Sequence, residues 1–146
     1  MSITLDEASS KEYRYNEKYT SGEIRSTGFY GYGCYEVEMK PVAHTGVTTA
    51  FFTFAGPGEN DTPDGVPRLH NEINMLFDGF NMTTFQTRYW TNEDASEGQD
   101  ITIIPLDYEA NEEFHKYGFK WSESSIDWYV DRKLVHTSKG SAAYPI

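Results

Sequence analysis

One cysteine, Cys34, is all the chain has, which excludes a disulfide framework within it and leaves the fold to rest on burial alone. With Gly33 and Tyr35 as strand-like neighbours, that thiol is predicted to be partly buried and inert rather than nucleophilic. Cations are also scarce: 12 Lys and Arg stand against 23 Asp and Glu, for a net charge of -11. Nucleic-acid affinity comes mainly from clustered Lys and Arg, so no nucleic-acid partner is expected. No run of 18 apolar residues occurs, so neither a transmembrane helix nor a membrane partner is predicted. The N-terminus MSITLDEASS lacks the apolar core of a signal peptide. Leu and Ala are sparse and strong helix-forming runs are hard to find, which turns the reading toward strands.

What the chain does have is aromatic residues, with 11 Tyr, 9 Phe and 3 Trp, and an apolar period of two. Its 146 residues suffice for one domain with a core and are too few for two, so residues 1–146 are expected to form a single domain, with 1–19 as an N-terminal strand or arm. From Tyr35 to Met39, Tyr35, Val37 and Met39 point one way while Glu36, Glu38 and Lys40 point the other, until Pro41 ends the strand. Val47 to Ala55 is a second strand, rich in β-branched and aromatic residues. It places Val47, Phe51 and Ala55 on one face and Ala50, Phe52 and Phe54 on the other, with both faces expected to be largely covered.

The density of Gly, Pro, Asp and Asn in GPGENDTPDGVP predicts a long loop over residues 56–69. After it, His70 to Asp78 alternates, turning Ile73, Met75 and Phe77 to a core and His70, Glu72, Asn74, Leu76 and Asp78 away from it. Thr83 to Thr91 is a further strand with Gln86, Arg88 and Trp90 on one side, residues 92–98 read as an acidic loop, and Ile101 to Ile104 as a short strand. Asp107 to Glu113 is the candidate for a helical turn, with Asp107 as its cap. The last third reads as hairpins: Phe114 to Trp121, a turn at Ser122 to Ser125, Ile126 to Val130, the turn Asp131-Arg132, then Lys133 to Thr137. Many short strands joined by turns predict an all-β, antiparallel sandwich or barrel. Two Asn-x-Thr patterns, at Asn60 and Asn81, fit glycosylation acceptors but arise often by chance.

The strings GEIRSTGFYGYGCYEVEMKP, TAFFTFAGP, HNEINMLFDG, RYWTN and FHKYGFKWSESSIDWYVDRKLVHT, in that order, resemble the licheninases of glycoside hydrolase family 16, the mixed-linkage β-1,3-1,4-glucanases. The resemblance runs from about Thr20 to Thr137. It implies a jelly-roll β-sandwich of concanavalin A-like type and a β-glucan as the molecule recognised. The family signature is E-x-D-x-E on one strand: the first Glu is the nucleophile, the last the acid/base, and the Asp between them tunes the nucleophile. Here the segment reads Glu72-Ile73-Asn74-Met75-Leu76, so only the nucleophile position, Glu72, keeps its carboxylate.

A retaining glycosidase needs two carboxyl groups about 5–5.5 Å apart, one to attack carbon and one to protonate the leaving oxygen. Leucine can do neither. His70, two residues before Glu72 on the same face, is a weak substitute donor. The family commonly places an aromatic sugar platform there, which makes His70 a hydrogen-bonding or stacking residue instead. Glu72 itself reads equally as a retained nucleophile or as a strand carboxylate paired with an Arg. By the resemblance, Glu23 and Arg25 line the site, the alternative being a surface ion pair. Phe52, Phe54 and Trp90 fall where the family sets rings against glucose, although core packing accounts as well for the two Phe residues. Trp90 alternates with the polar Gln86 and Arg88, so its face is predicted to be wet and Trp90 to be the best single binding residue. Arg88 either narrows a subsite or pairs with Glu72. Tyr117, Trp121 and Trp128 belong to the core or the outer sheet.

The resemblance starts after the family's first strands, and Tyr144-Pro145-Ile146 stop where it would continue into strands that complete the sandwich and help hold a calcium ion. No cofactor is therefore assigned, calcium being implied only by the family. A sheet short of its edge partners invites pairing with another copy, so a homodimer is an expectation. The family implies an extracellular setting. Three functions stay open: a β-glucan-recognising pseudoenzyme, an endo-β-glucanase with an unusual proton donor (His70 or a residue of the long loop), and a structural module with no glycan role.

Overall fold

The computed structural model describes residues 2–4, 6–7, 19–56, 70–91 and 99–139. Ten strands follow in order: β1 (Asp6–Glu7), β2 (Tyr19–Thr20), β3 (Gly33–Met39), β4 (Thr48–Ala55), β5 (Asn71–Asp78), β6 (Thr84–Trp90), β7 (Gln99–Pro105), β8 (His115–Trp121), β9 (Ser125–Val130) and β10 (Lys133–Lys139). No helix occurs among the described residues. β1 and β2 pair with each other, and the other strands form two four-stranded antiparallel sheets, ordered β10-β9-β8-β3 and β4-β5-β6-β7. The architecture is an antiparallel β-sandwich of jelly-roll type. The predicted long loop and acidic loop, 57–69 and 92–98, lie outside the described residues, as do 8–18 and the C-terminal 140–146.

Alternation decides what each strand buries. On β5, Ile73, Met75 and Phe77 are sealed, and on β8 and β9 Tyr117, Phe119, Trp121, Ile126 and Trp128 join them. The sheets meet through rings: Phe77 lies edge-on to Tyr117 at 4.8 Å, and Phe51 lies 5.6 Å from Phe119. Burial of each such side chain contributes about 1.5–3 kcal/mol. The indole N–H of buried Trp128 donates to Ser138 Oγ, itself buried on β10, at 3.3 Å. The β9–β10 hairpin turns at Asp131 and Arg132, both with positive φ (47° and 66°), the backbone that a two-residue hairpin of right-handed twist requires.

Three expectations are corrected. Cys34 is exposed, because on β3 it shares the outward face with Glu36 and Glu38. Asp107–Glu113 forms turns rather than a helical turn: the Ala110 amide donates to Met82 O in the β5–β6 connection and the Glu112 amide to Glu109 O three residues back, so neither joins an i to i-4 ladder. β4 is not covered on both faces, since Thr48 and Ala50 are exposed on the face turned away from the core. In the β5–β6 connection Asn81 Oδ1 accepts from the Thr83 amide and hydroxyl at 3.1 and 2.8 Å, so the side chain of this Asn-x-Thr pattern is engaged in the turn.

Candidate functional site

Pairing in register brings the even-numbered residues of β4, β5 and β6 onto the outer face of their sheet. Phe54 stands opposite Glu72 and Glu72 opposite Trp90; Phe52 opposite Asn74 and Asn74 opposite Arg88; Ala50 opposite Leu76 and Leu76 opposite Gln86. Three rows of side chains thus cross the sheet with Glu72, Asn74 and Leu76 as their middle members.

Glu72 is held from two sides. His70 Nε2 lies 2.9 Å from Oε2, and Asn74 Nδ2 donates to Oε1 at 2.5 Å. The amide can turn only its nitrogen to a carboxylate, which leaves Asn74 Oδ1 buried and without a hydrogen-bond partner. Among the described residues no Arg pairs with Glu72.

The Arg88 guanidinium instead lies over the Trp90 ring, 4.7 Å from its centroid, with Nε buried and unpartnered. That is a cation–π arrangement. On the other side of the row the His70 ring stacks on Trp90 at 5.0 Å with 17° between the planes, and Phe54 lies 5.5 Å from His70. Trp90 is therefore only 6% exposed, and the prediction of a wet indole is corrected: His70 and Arg88 flank the ring. Alternation had placed Trp90 on the outer face correctly, but it could not show that neighbours on that face cover it.

Phe52 and Phe54 are half-buried on the same face rather than in the core between the sheets. Glu23 and Arg25 form an exposed ion pair at 2.9 Å, and the Arg25 guanidinium lies 5.8 Å from the Phe54 ring centroid, at the rim of the Glu72 row. Ile103, opposite Gln86 on β7, is 57% exposed, and Ile101 is also exposed. Sequence reading did not single out these two, because nothing local says which face of the fourth strand continues the site. Tyr117, Trp121 and Trp128 are core.

The family signature would put a carboxyl at position 76. Leu76 presents hydrocarbon there, between Ala50 and Gln86. The next carboxylate on this face of β5, Asp78, is six residues from Glu72, about 20 Å of strand rise. His70 is in direct contact with Glu72, so no sugar fits between the two as it must between an attacking and a protonating group about 5–5.5 Å apart. No three His, Cys, Asp or Glu side chains gather into a metal site among the described residues, so none of them is assigned a calcium ion.

The sequence profile described as "Glycosyl hydrolases family 16" matches residues 1–146. The chain belongs to glycosyl hydrolase family 16. This family 16 chain is 43% identical over 121 residues to a β-glucanase of Bacillus subtilis (strain 168), covering 83% of the chain and 46% of the relative. It is 42% identical over 123 residues to a β-glucanase of Paenibacillus polymyxa, covering 84% and 48%. Among solved structures it is similar to a prokaryotic β-1,3-1,4-glucanase (lichenase) from a mouse hindgut metagenome, with a TM-score of 0.83, 30% identity and coverage of 98% of this chain and 61% of that one. It is also similar to the Bacillus licheniformis β-glucanase, with a TM-score of 0.76, 36% identity and coverage of 92% and 58%. The family 16 chain thus spans about half the length of these curated relatives.

Proposed function

We propose that this chain is a β-glucan-recognising domain of the family 16 type in which hydrolysis is impaired or absent. The observation that carries the reading is Leu76. On the face that gathers Glu72, His70, Phe52, Phe54, Arg88 and Trp90, the position due to protonate a leaving group bears a side chain with no titratable proton. Apolar ring faces beside polar groups suit a sugar, whose ring has apolar faces and a hydroxyl rim. The relatives' names, β-glucanase and lichenase, support β-glucan as the class.

The test is calorimetric titration of the chain with mixed-linkage β-glucan oligosaccharides, together with a reducing-sugar assay on the polymer. Saturable binding with no turnover is the expected pair of results. Hydrolysis that disappears in Glu72→Ala would instead make the chain a working glucanase, and absence of both binding and turnover would leave a structural module.

A further inference from the structure

A sugar ring stacks on an indole only where one face of the indole is bare. Trp90 has no bare face: its ring is 6% exposed, with the Arg88 guanidinium 4.7 Å from its centroid and the His70 ring stacked 5.0 Å away at 17°. The two covers are held differently. His70 is tied down, since its Nε2 lies 2.9 Å from Glu72 Oε2 and its ring also meets Phe54 at 5.5 Å. Arg88 has no such tie among the described residues, and its buried Nε makes no hydrogen bond. The carboxylates on the strands to either side of it are engaged elsewhere: Glu72 accepts from Asn74 and contacts His70, while Asp100 accepts from Thr102 at 3.4 Å and lies 3.3 Å from His136 of the other sheet. A cation–π contact alone is a weak hold on a guanidinium.

Strand register supplies a second place for that guanidinium. Asn74 stands directly opposite Arg88 across β5 and β6, and the Cβ atoms of such a pair are about 4.5–5.5 Å apart, well within the reach of an arginine. Asn74 is 2% exposed; its Nδ2 donates to Glu72 Oε1, and its Oδ1 is buried without a hydrogen-bond partner. An acceptor stripped of water and left unbonded is costly, and arginine consists of donors. The β6–β7 register also shifts between Thr87 and Tyr89, at Arg88 itself. A bulge of this kind interrupts the ladder locally and is a common means of aiming a side chain anew.

We propose that Arg88 is a gate on Trp90 that sets which ligands this face accepts. Closed, the guanidinium covers the indole. Open, it donates to Asn74 Oδ1 and leaves one face of Trp90 bare for a sugar ring, so that the stacked sugar and the new hydrogen bond replace the cation–π contact. A ligand with no flat apolar face recovers nothing for that contact and leaves the gate shut. The inference rests on the glucan reading above.

The experiment pairs acrylamide quenching of indole fluorescence with calorimetric titration of mixed-linkage β-glucan oligosaccharides, both on the full chain. Trp121 and Trp128 are 2% and 0% exposed, so a gain in quenching reports Trp90. Arg88→Ala is expected to quench more readily than the wild type and to bind the oligosaccharide with a Kd about 2–5-fold lower, the worth of an exposed cation–π contact that the sugar no longer has to break. Asn74→Asp, which sets an anion opposite the guanidinium, should raise quenching while Arg88 is present and add nothing to it in Arg88→Ala. Oligosaccharide bound by the wild type but no more tightly by Arg88→Ala would overturn the gate and leave the glucan reading standing. Quenching unchanged in both variants would overturn it as well. Absence of binding by wild type and Arg88→Ala alike would end the glucan reading, and the gate with it.

Discussion

His70 Nε2 lies 2.9 Å from Glu72 Oε2 while Asn74 Nδ2 occupies Oε1, so both oxygens of the site's central carboxylate are bonded to side chains two residues away along the chain. A nucleophile so placed would have to release one of these bonds to attack, and no carboxyl stands at position 76 to protonate what leaves. Restoring both family carboxylates is the direct check. Asn74→Asp with Leu76→Glu is expected to raise mixed-linkage glucan hydrolysis about 10²-fold or more above the wild type, the usual worth of a positioned acid. Adding Glu72→Ala to that variant should return the rate to background.

Trp90 is a residue whose structural role and proposed binding role cannot be separated by truncation. Its ring is 6% exposed and flanked by His70 and Arg88. Trp90→Ala is expected to cost about 3–5 kcal/mol of folding free energy, measured by urea denaturation, in addition to any loss of glucan affinity. Trp90→Phe keeps an aromatic face for His70 and Arg88, and should recover most of the stability.

Gly118 on β8 stands opposite Glu36 of β3. A Cβ there would run into the backbone carbonyl oxygen of Tyr35 and come within 3.2 Å of Glu36 Cα. Backbone cannot step aside as a flexible side chain can, so Gly118→Ala should destabilise the fold by about 1–3 kcal/mol in thermal or urea melts.

Asp131 gives the fold an acid limit. Partial burial pushes its carboxyl up, but the Lys116 amide at 2.9 Å, the His115 ring at 2.8 Å and the nearby Lys133 charge together outweigh that and hold it below the ordinary carboxylate value. A carboxyl lowered in the folded state contributes stability above its unfolded value, near pH 3.9 or so, and loses that contribution as pH falls through the lower folded value. Melting temperature should therefore fall more steeply below about pH 4 in the wild type than in Asp131→Asn. Parallel acid profiles for the two would rule the effect out.

Much of the fold could be read along the chain because alternation is a local property. The periodicity of Ile73, Met75 and Phe77 identified the buried face of β5, and the Asp131-Arg132 turn located the last hairpin. Local pattern failed where a group's fate depended on a neighbour distant in sequence. Asp107–Glu113 looked helical until its Ala110 amide was found bonded to Met82, and Trp90 looked wet until His70 and Arg88 were found against it. Val47–Ala55 looked covered on both faces, yet covering the outer face requires something packed above the sheet, and Thr48 and Ala50 are exposed there.

By itself, the order of residues determined that Glu72 keeps its carboxylate while positions 74 and 76 carry an amide and a hydrocarbon, since side-chain chemistry needs no fold to define it. Only the tertiary structure decided that Glu72 is bonded by His70 and Asn74, and that Arg88 turns to Trp90 instead of to Glu72. Contacts of this kind depend on strand register and sheet order, which arise from packing between segments far apart in the chain.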